Sequence, residues 1–457
     1  KMQTQSEQRF ATESIPKLMV TMAIPSVIAQ VINILYNIVD RIYIGHIEGV
    51  GAAALTGVGV TFPIITLISA FSAFVGRGGA PLAAIWMGKG DQKHAEKILG
   101  NGALLLTIFS MLLMAVFLIW QRPLLYLFGA SDATIGYACD YLTIYLLGTW
   151  FVQLALGLNP FIICQGKPRT AMLSIVIGAV INIVLDPIFI FVFGWGVQGA
   201  AIATVISQAM SAAWNVGFLV SGKSSIRLMV KNLKPELRII GQTFSLGISP
   251  FIMSSTESLV TIVLNSGMQR YGGDLYVGSI TIMQSVLQLF SAPLTGFTQG
   301  VQPIISYNYG AGNFARTKKI CLSMIGVSFT ISFLANMTAM IFPSFYASLF
   351  SNDPELIALV GRVMPIFLFG MLFFGLQNGI QPSFLSLGQA GISLFIAMFR
   401  KVILLVPLAL ILPRFFGVMG IYYAEPVSDI ISAATATVLF ALNINRILSK
   451  EYLERIR

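Results

Sequence analysis

Five carboxylates lie inside long apolar stretches of this 457-residue chain: Asp40, Asp186, Glu257, Glu425 and Asp429. A charge at the centre of a bilayer costs about 2.5–3.5 kcal/mol on insertion scales, so each is a candidate for handling ions or substrate. Asp186 has the richest setting, Asn182-Ile-Val-Leu-Asp186-Pro187. Residues four apart share one helix face, and Pro187 cannot donate its backbone N–H, which frees a carbonyl near Ile183. Carboxylate, amide oxygen and free carbonyl together make an oxygen-rich pocket of the kind hard cations prefer. Asp40 is a second acid in the same half of the chain. If the two meet, repulsion and desolvation hold at least one proton there, and the pocket would take H⁺ or Na⁺. The architectural alternatives are that Asp186 pairs with a nearby donor and that Asp40 pairs with Arg41 at a helix end.

A second group lies in the other half. Glu257 sits in the polar run Ser254-Ser-Thr-Glu257-Ser, while Glu425 precedes Pro426 and stands one turn before Asp429. Gln377, Asn378 and Gln381 lie just before Pro382. These six are candidates for lining a substrate cavity, since buried amides either line a pore or tie helices together. The competing reading is a helix-locking network with Arg400 or Lys401. The 33 Phe and 19 Met leave room for an adaptable pocket, although most of them must face lipid or other helices.

These residues need elements to hold them. Only 10% of the chain is charged and 56% is hydrophobic, and mean hydropathy is +0.82. A soluble domain carries about 25% charged residues, so this is an integral membrane protein. Long apolar runs exclude an alternating outer-membrane barrel. At about 20 residues per bilayer crossing, twelve helices are expected, near 17–45, 52–82, 98–120, 136–161, 171–194, 198–220, 240–267, 276–306, 320–343, 357–386, 392–413 and 417–446. The loops on one side, with both termini, hold twenty Lys and Arg, against four on the other. The positive-inside rule then places both termini in the cytoplasm. That topology, not nucleic acid, accounts for the net charge of +10. No cleavable leader is expected, because the first apolar stretch is too long and Lys1 to Ser14 is polar.

The two halves repeat. Gly88-Lys-Gly-Asp-Gln-Lys-His-Ala-Glu-Lys-Ile98 aligns with Gly310-Ala-Gly-Asn-Phe-Ala-Arg-Thr-Lys-Lys-Ile320, 222 positions on. At the same shift Leu127-Phe128 meets Leu349-Phe350, and Asn159-Pro160 meets Gln381-Pro382. The fold expected is an all-α membrane protein with twelve transmembrane helices in two six-helix lobes, related by a pseudo-two-fold repeat about the membrane normal. Residues 1–220 form the first lobe, 221–239 a basic, solvated cytoplasmic linker and 240–457 the second lobe. Transporters built from such repeats hold their ligands near the midplane.

Other chemistries have little support. His46 and His94 lie in loops, and no P-loop or HExxH motif occurs. Cys139, Cys164 and Cys321 lie in apolar stretches without a CxxC pair. Neither an enzyme nor a resident cofactor is expected.

Several pieces together carry a resemblance: Pro25 with Val39-Asp40-Arg-Ile-Tyr-Ile-Gly45, Gly166-Lys-Pro168, Asn182-x3-Asp186-Pro187 and Gly196-Val-x-Gly199-Ala-Ala-x-Ala-Thr204. In this order the chain resembles the multidrug and toxic compound extrusion (MATE) family, within a superfamily that includes oligosaccharide-lipid flippases. The resemblance covers nearly the whole chain. It implies two lobes around a central cavity that opens alternately to each side, export of amphipathic organic cations in exchange for Na⁺ or H⁺, and a monomer in a plasma membrane, the bacterial inner membrane in particular. By motif, Asp40, Asn182, Asp186 and Thr204 match the family's first-lobe cation site, and Asn159 and Tyr36 its surroundings. Glu257 resembles a glutamate of another branch, but that branch's acidic position on the tenth helix has only amides here. The alternative is a lipid or lipid-linked oligosaccharide flippase, for which Arg77, Arg362, Arg400 and Lys401 would suit a more cationic cavity.

Overall fold

The computed structural model describes residues 5–456. Its membrane-crossing helices are α1 (Ile15–Gly45), α2 (Gly51–Gly88), α3 (Gln92–Leu127), α4 (Ile135–Leu147 and Thr149–Ile163), α5 (Pro168–Val192), α6 (Gly196–Val220), α7 (Leu237–Tyr271), α8 (Asp274–Gly310), α9 (Phe314–Ile341), α10 (Pro354–Phe367 and Met371–Ser386), α11 (Ala390–Phe416) and α12 (Val418–Ile447). Ten are long and apolar enough to span alone, and the two bent pairs bring the total to twelve among the described residues.

The expected spans 136–161 and 357–386 are not single straight helices. α4 bends by 60° and α10 by 53°. The breaks fall at Gly148 and Gly370, which are 222 positions apart, so the repeat reproduces the bend. At each break the sixth helix of the same half approaches closely. A Cβ on Gly148 would lie 2.7 Å from Val205 of α6, and one on Gly370 would lie 2.7 Å from Pro426 of α12.

The halves meet through α1 against α8 and α2 against α7. A two-fold axis makes these one interface seen twice, because the repeat maps α1 onto α7 and α2 onto α8. Small residues allow the approach: a Cβ on Gly247 would lie 2.3 Å from the Phe74 carbonyl oxygen. At the end of the bundle that carries both termini the contact is tightest. There a Cβ on Gly310 would sit 2.0 Å from the Ile85 carbonyl oxygen.

The same end is tied by polar bonds. Asn308 Nδ2 and Arg316 Nε donate to the Phe10 carbonyl at 2.9 and 3.0 Å, and Phe10 packs edge-on against Tyr307. Lys89 Nζ donates to the carbonyls of Leu453 and Ile456. Burial holds the Lys89 ammonium below the usual lysine range. The segment 221–239 is largely exposed, and a few of its polar groups anchor it on the first half. Ser224 Oγ and Ser225 N donate to Gln165 Oε1 at 3.0 and 2.8 Å, and Glu236 N donates to Asn101 Oδ1 at 2.9 Å. Its polar residues found partners in the first half that spacing alone does not reveal.

Candidate cation site and central cavity

α5 and α6 form a clasp that presents Asp186. Ser174 Oγ donates to the Ser211 carbonyl at 3.2 Å, and Ser211 Oγ returns a bond to the Ser174 carbonyl at 2.8 Å. One helical face further along, Asn182 Nδ2 donates to Thr204 Oγ1 and Ser207 Oγ, both at 3.3 Å. After Asp186 the helix widens into a π-helical segment, Ile188–Val192, as follows from the missing N–H of Pro187.

α1 brings Asp40 to the same place. Its carboxyl lies within hydrogen-bonding reach of the Asp186 carboxyl. Tyr36, one turn earlier on α1, adjoins both acids. Tyr141 of α4 adjoins Asp40 and Thr204. The arrangement therefore brings together Tyr36, Asp40, Asn182, Asp186 and Thr204. Asn159 is set apart, its Nδ2 donating to the Ala171 carbonyl at 3.0 Å. Arg41 does not neutralise Asp40 by an ion pair among the described residues. Its guanidinium lies 4.7 Å from the Phe62 ring centre.

The oxygen atoms decide what this pocket can do. Asp40 Oδ1, both Asp186 oxygens and Asn182 Oδ1 are buried without a hydrogen-bond donor, and Asp186 is fully buried. Buried polar groups nearly always have partners. Two facing carboxylates have only acceptors to offer each other, so the pair has the chemistry to take up a proton or a metal cation. Tyr141, Tyr145 and Ser207 were not singled out from the sequence. The signal for the tyrosines was there, since Tyr137, Tyr141 and Tyr145 recur four apart on one face of α4.

The acids of the second half are placed differently. Arg400 Nε donates to Asp429 Oδ1 at 2.8 Å and Arg400 Nη2 to Glu425 Oε1 at 2.9 Å. Its guanidinium also stacks 4.0 Å from the Phe374 ring centre. Lys401 pairs with Glu257 and donates to the Met253 carbonyl. Arg400 and Lys401 lie in a π-helical segment of α11, Phe399–Leu405. Gln381 Nε2 donates to Ser249 Oγ at 3.1 Å, and Gln377 accepts from Ser432. These contacts tie α7, α10, α11 and α12 together.

The principal cavity has a volume of about 270 Å³ and lies between the halves. Residues of α1, α2, α4, α5 and α6 line it, with Ser254 of α7 and Gln299 and Gln302 of α8. Of the cation-site and cavity candidates read from the sequence, Tyr36 and Asn159 line it, as does Arg77, named for a more cationic cavity; Glu257, Gln377, Asn378, Gln381, Glu425 and Asp429 do not. The wall carries amides and hydroxyls, and Arg77 is the charged residue among them.

A bundle of twelve repeated spans with a cavity between its halves and an acid pair inside the membrane defines a transporter class, and comparison places the chain within it. The MatE family model matches residues 25–188 and 250–411. The chain belongs to the MatE family of membrane transporters. The multidrug export protein MepA of Staphylococcus haemolyticus strain JCSC1435 is 26% identical over 428 residues, covering 93% of each chain. The protein of the same name from Staphylococcus aureus strain MSSA476 is 24% identical over 450 residues, covering 96% of this chain and 97% of that one. Among solved structures, a MATE protein in the bent conformation superposes with a TM-score of 0.90 at 23% identity, covering 98% of this chain and 99% of that one. A MOP superfamily transporter from Pyrococcus furiosus, described as having a binding pocket of reverse polarity, superposes with a TM-score of 0.91 at 22% identity, covering 98% and 100%. These likenesses establish the two-lobed fold.

Proposed function

We propose that this MatE transporter exports amphipathic drugs by alternating access, in exchange for a monovalent cation taken up at Asp40 and Asp186. The observation that carries the cation site is the approach of two buried carboxyls whose oxygens lack donors. One shared proton would satisfy the pair directly. Na⁺ is the second reading, favoured by the unpaired Asn182 Oδ1 and the Thr204 hydroxyl beside it. Export of drugs is supported by similarity over nearly full length to the MepA multidrug export proteins.

α1 supplies the link between cation and cavity. Its first half packs on α8, where a Cβ on Gly300 would lie 2.6 Å from the Met22 carbonyl oxygen. Its second half carries Tyr36, which lines the cavity, and Asp40. Pro25, between them, lacks the N–H that would bond back to residue 21 and so gives the helix a place to bend. Neutralising the acid pair removes the repulsion between α1 and α5. A cation then favours one placement of α1 over another, which is the differential affinity that coupling requires. The sealed end, with both termini, faces the cytoplasm in this reading, which the loop charges support, and the bacterial MepA relatives support an inner-membrane setting. The chain acts as a monomer surrounded by lipid.

The test is transport in proteoliposomes loaded with rhodamine B, an amphipathic dye that carries both a cation and a carboxylate, with a Na⁺ gradient and a pH gradient imposed separately. One gradient should drive dye movement, and Asp186→Asn should reduce that movement to the rate of empty vesicles. Failure of both gradients to move dye through folded protein would overturn the reading and favour the lipid-linked flippase.

A further inference from the structure

Arg77 is a cation without a counter-charge in the middle of α2. It lines the central cavity, its Nε is buried with no hydrogen-bond partner, and no ion pair joins it to an acid among the described residues. Neither Asp40 nor Asp186 lines that cavity. The other buried arginine of the membrane region, Arg400, is satisfied by two acids.

Glycines on both sides fix the direction of Arg77. A Cβ on Gly76 would lie 3.0 Å from the Gly157 carbonyl oxygen of α4, and one on Gly78 would lie 2.6 Å from Gly247 of α7. With those faces pressed against neighbours, the face carrying residue 77 is turned to the space between the lobes. Around that space stand Gln30, Asn33, Gln208, Gln299 and Gln302. Gln30 Nε2 donates to Gln299 Oε1 at 3.1 Å and so bridges the two lobes across the cavity.

A guanidinium held in a cavity wall with its Nε buried and unpaired is unfavourable unless an anion meets it. Its planar fork matches a carboxylate with two parallel hydrogen bonds, and side-chain amides supply further donors for the same oxygens. From this geometry we infer that the cavity takes amphipathic substrates bearing a carboxylate, held on Arg77. The export reading assigns amphipathic drugs, and this inference, which rests on it, narrows them to those bearing a carboxylate, zwitterions and anions. The positive wall repels a substrate that is only cationic. The acid pair serves the coupling cation, and the two opposite charges thus occupy separate pockets.

Rhodamine B, which carries a carboxylate, and its ethyl ester, which lacks one, test this with a common ring system. Binding is read by fluorescence anisotropy on the full chain in detergent, and transport in proteoliposomes. Wild type should bind rhodamine B about ten-fold or more tightly than the ester, as expected for a charge-assisted hydrogen bond. Arg77→Gln should remove that preference by weakening rhodamine B alone, and Arg77→Lys should retain part of it. Arg77→Gln relieves an unpaired charge, so it should unfold no earlier than wild type on heating. Equal binding of the two dyes by wild type, or equal weakening of both by Arg77→Gln, overturns the inference. Transport of the ester by wild type, unaffected in Arg77→Gln, would overturn it while leaving drug export standing. If neither dye moves under any gradient, the export reading fails, and the binding comparison still decides the role of Arg77.

Discussion

At the scale of single residues, the first-half site holds an arrangement that opposes folding. Asp40 and Asp186 face each other with no protein donor to share, so without a metal cation the pair must take up a proton as the chain folds. A buried acceptor left unpaired costs about 1–3 kcal/mol, and like charges add to that. An amide at either position would donate to the acid opposite. Asp186→Asn should therefore unfold a few degrees above wild type in choline buffer at neutral pH, although the proposed cation site has lost an acid. A thermal unfolding midpoint below that of wild type would show that the acid pair stabilises the fold. The second half has the opposite character. Arg400 joins Glu425 and Asp429 in a bidentate cradle. Arg400→Met leaves two buried carboxylates without a counter-charge and should cost about 3–5 kcal/mol. Adding Glu425→Gln and Asp429→Asn to that variant should restore most of the loss, as read by denaturant unfolding in detergent.

At the scale of elements, the repeat is visible in the breaks as well as in the spans. α4 and α10 bend at equivalent glycines, and each bend lets the sixth helix of its half approach within van der Waals contact. The two halves then differ in what they place at equivalent positions. In the alignment of the halves, Glu425 corresponds to Thr204, and Asp429 to Gln208. In the first half Thr204 meets Asn182 beside the acid pair, whereas in the second Glu425 is bound to Arg400. One backbone plan thus carries an open acid site in one lobe and a closed ion-pair lock in the other.

At the scale of the molecule, one end of the bundle is shut by backbone contact between α2 and α8. Gly310 has no room for a side chain, so Gly310→Val forces the halves apart there at a cost of about 1–3 kcal/mol. Cys164 reports the opening, since it lines the cavity and is 1% exposed in the sealed state. In a Cys139→Ser background, Gly310→Val should raise the rate of Cys164 alkylation about ten-fold. Gly326→Val, where an added Cβ meets nothing within 4 Å, should leave the rate unchanged. Equal rates in the two variants would show that the Gly310 contact does not hold the seal.

The amino-acid sequence by itself determined the elements. Apolar length sets how many times the chain crosses a bilayer, loop charge sorts the two sides, and the 222-residue repeat dictates two similar halves. It also marked Asp40, Asn182 and Asp186, because a carboxylate in an apolar stretch stands out against the insertion cost. Only the tertiary structure decided which charges meet. Asp40 and Asp186 lie 146 positions apart, and Arg400 lies closer in sequence to Glu425 and Asp429 than to any residue of the first half, yet spacing cannot tell a facing pair from a separated one. Arg77 shows the limit best. In the sequence it is one of four basic residues in or near helices, with Arg362, Arg400 and Lys401, and nothing separates it from the other three. Its lack of any acid, and its place in the wall of a cavity, exist only once the glycines beside it have drawn α2 against α4 and α7, because pairing of charge depends on side chains that converge from different helices.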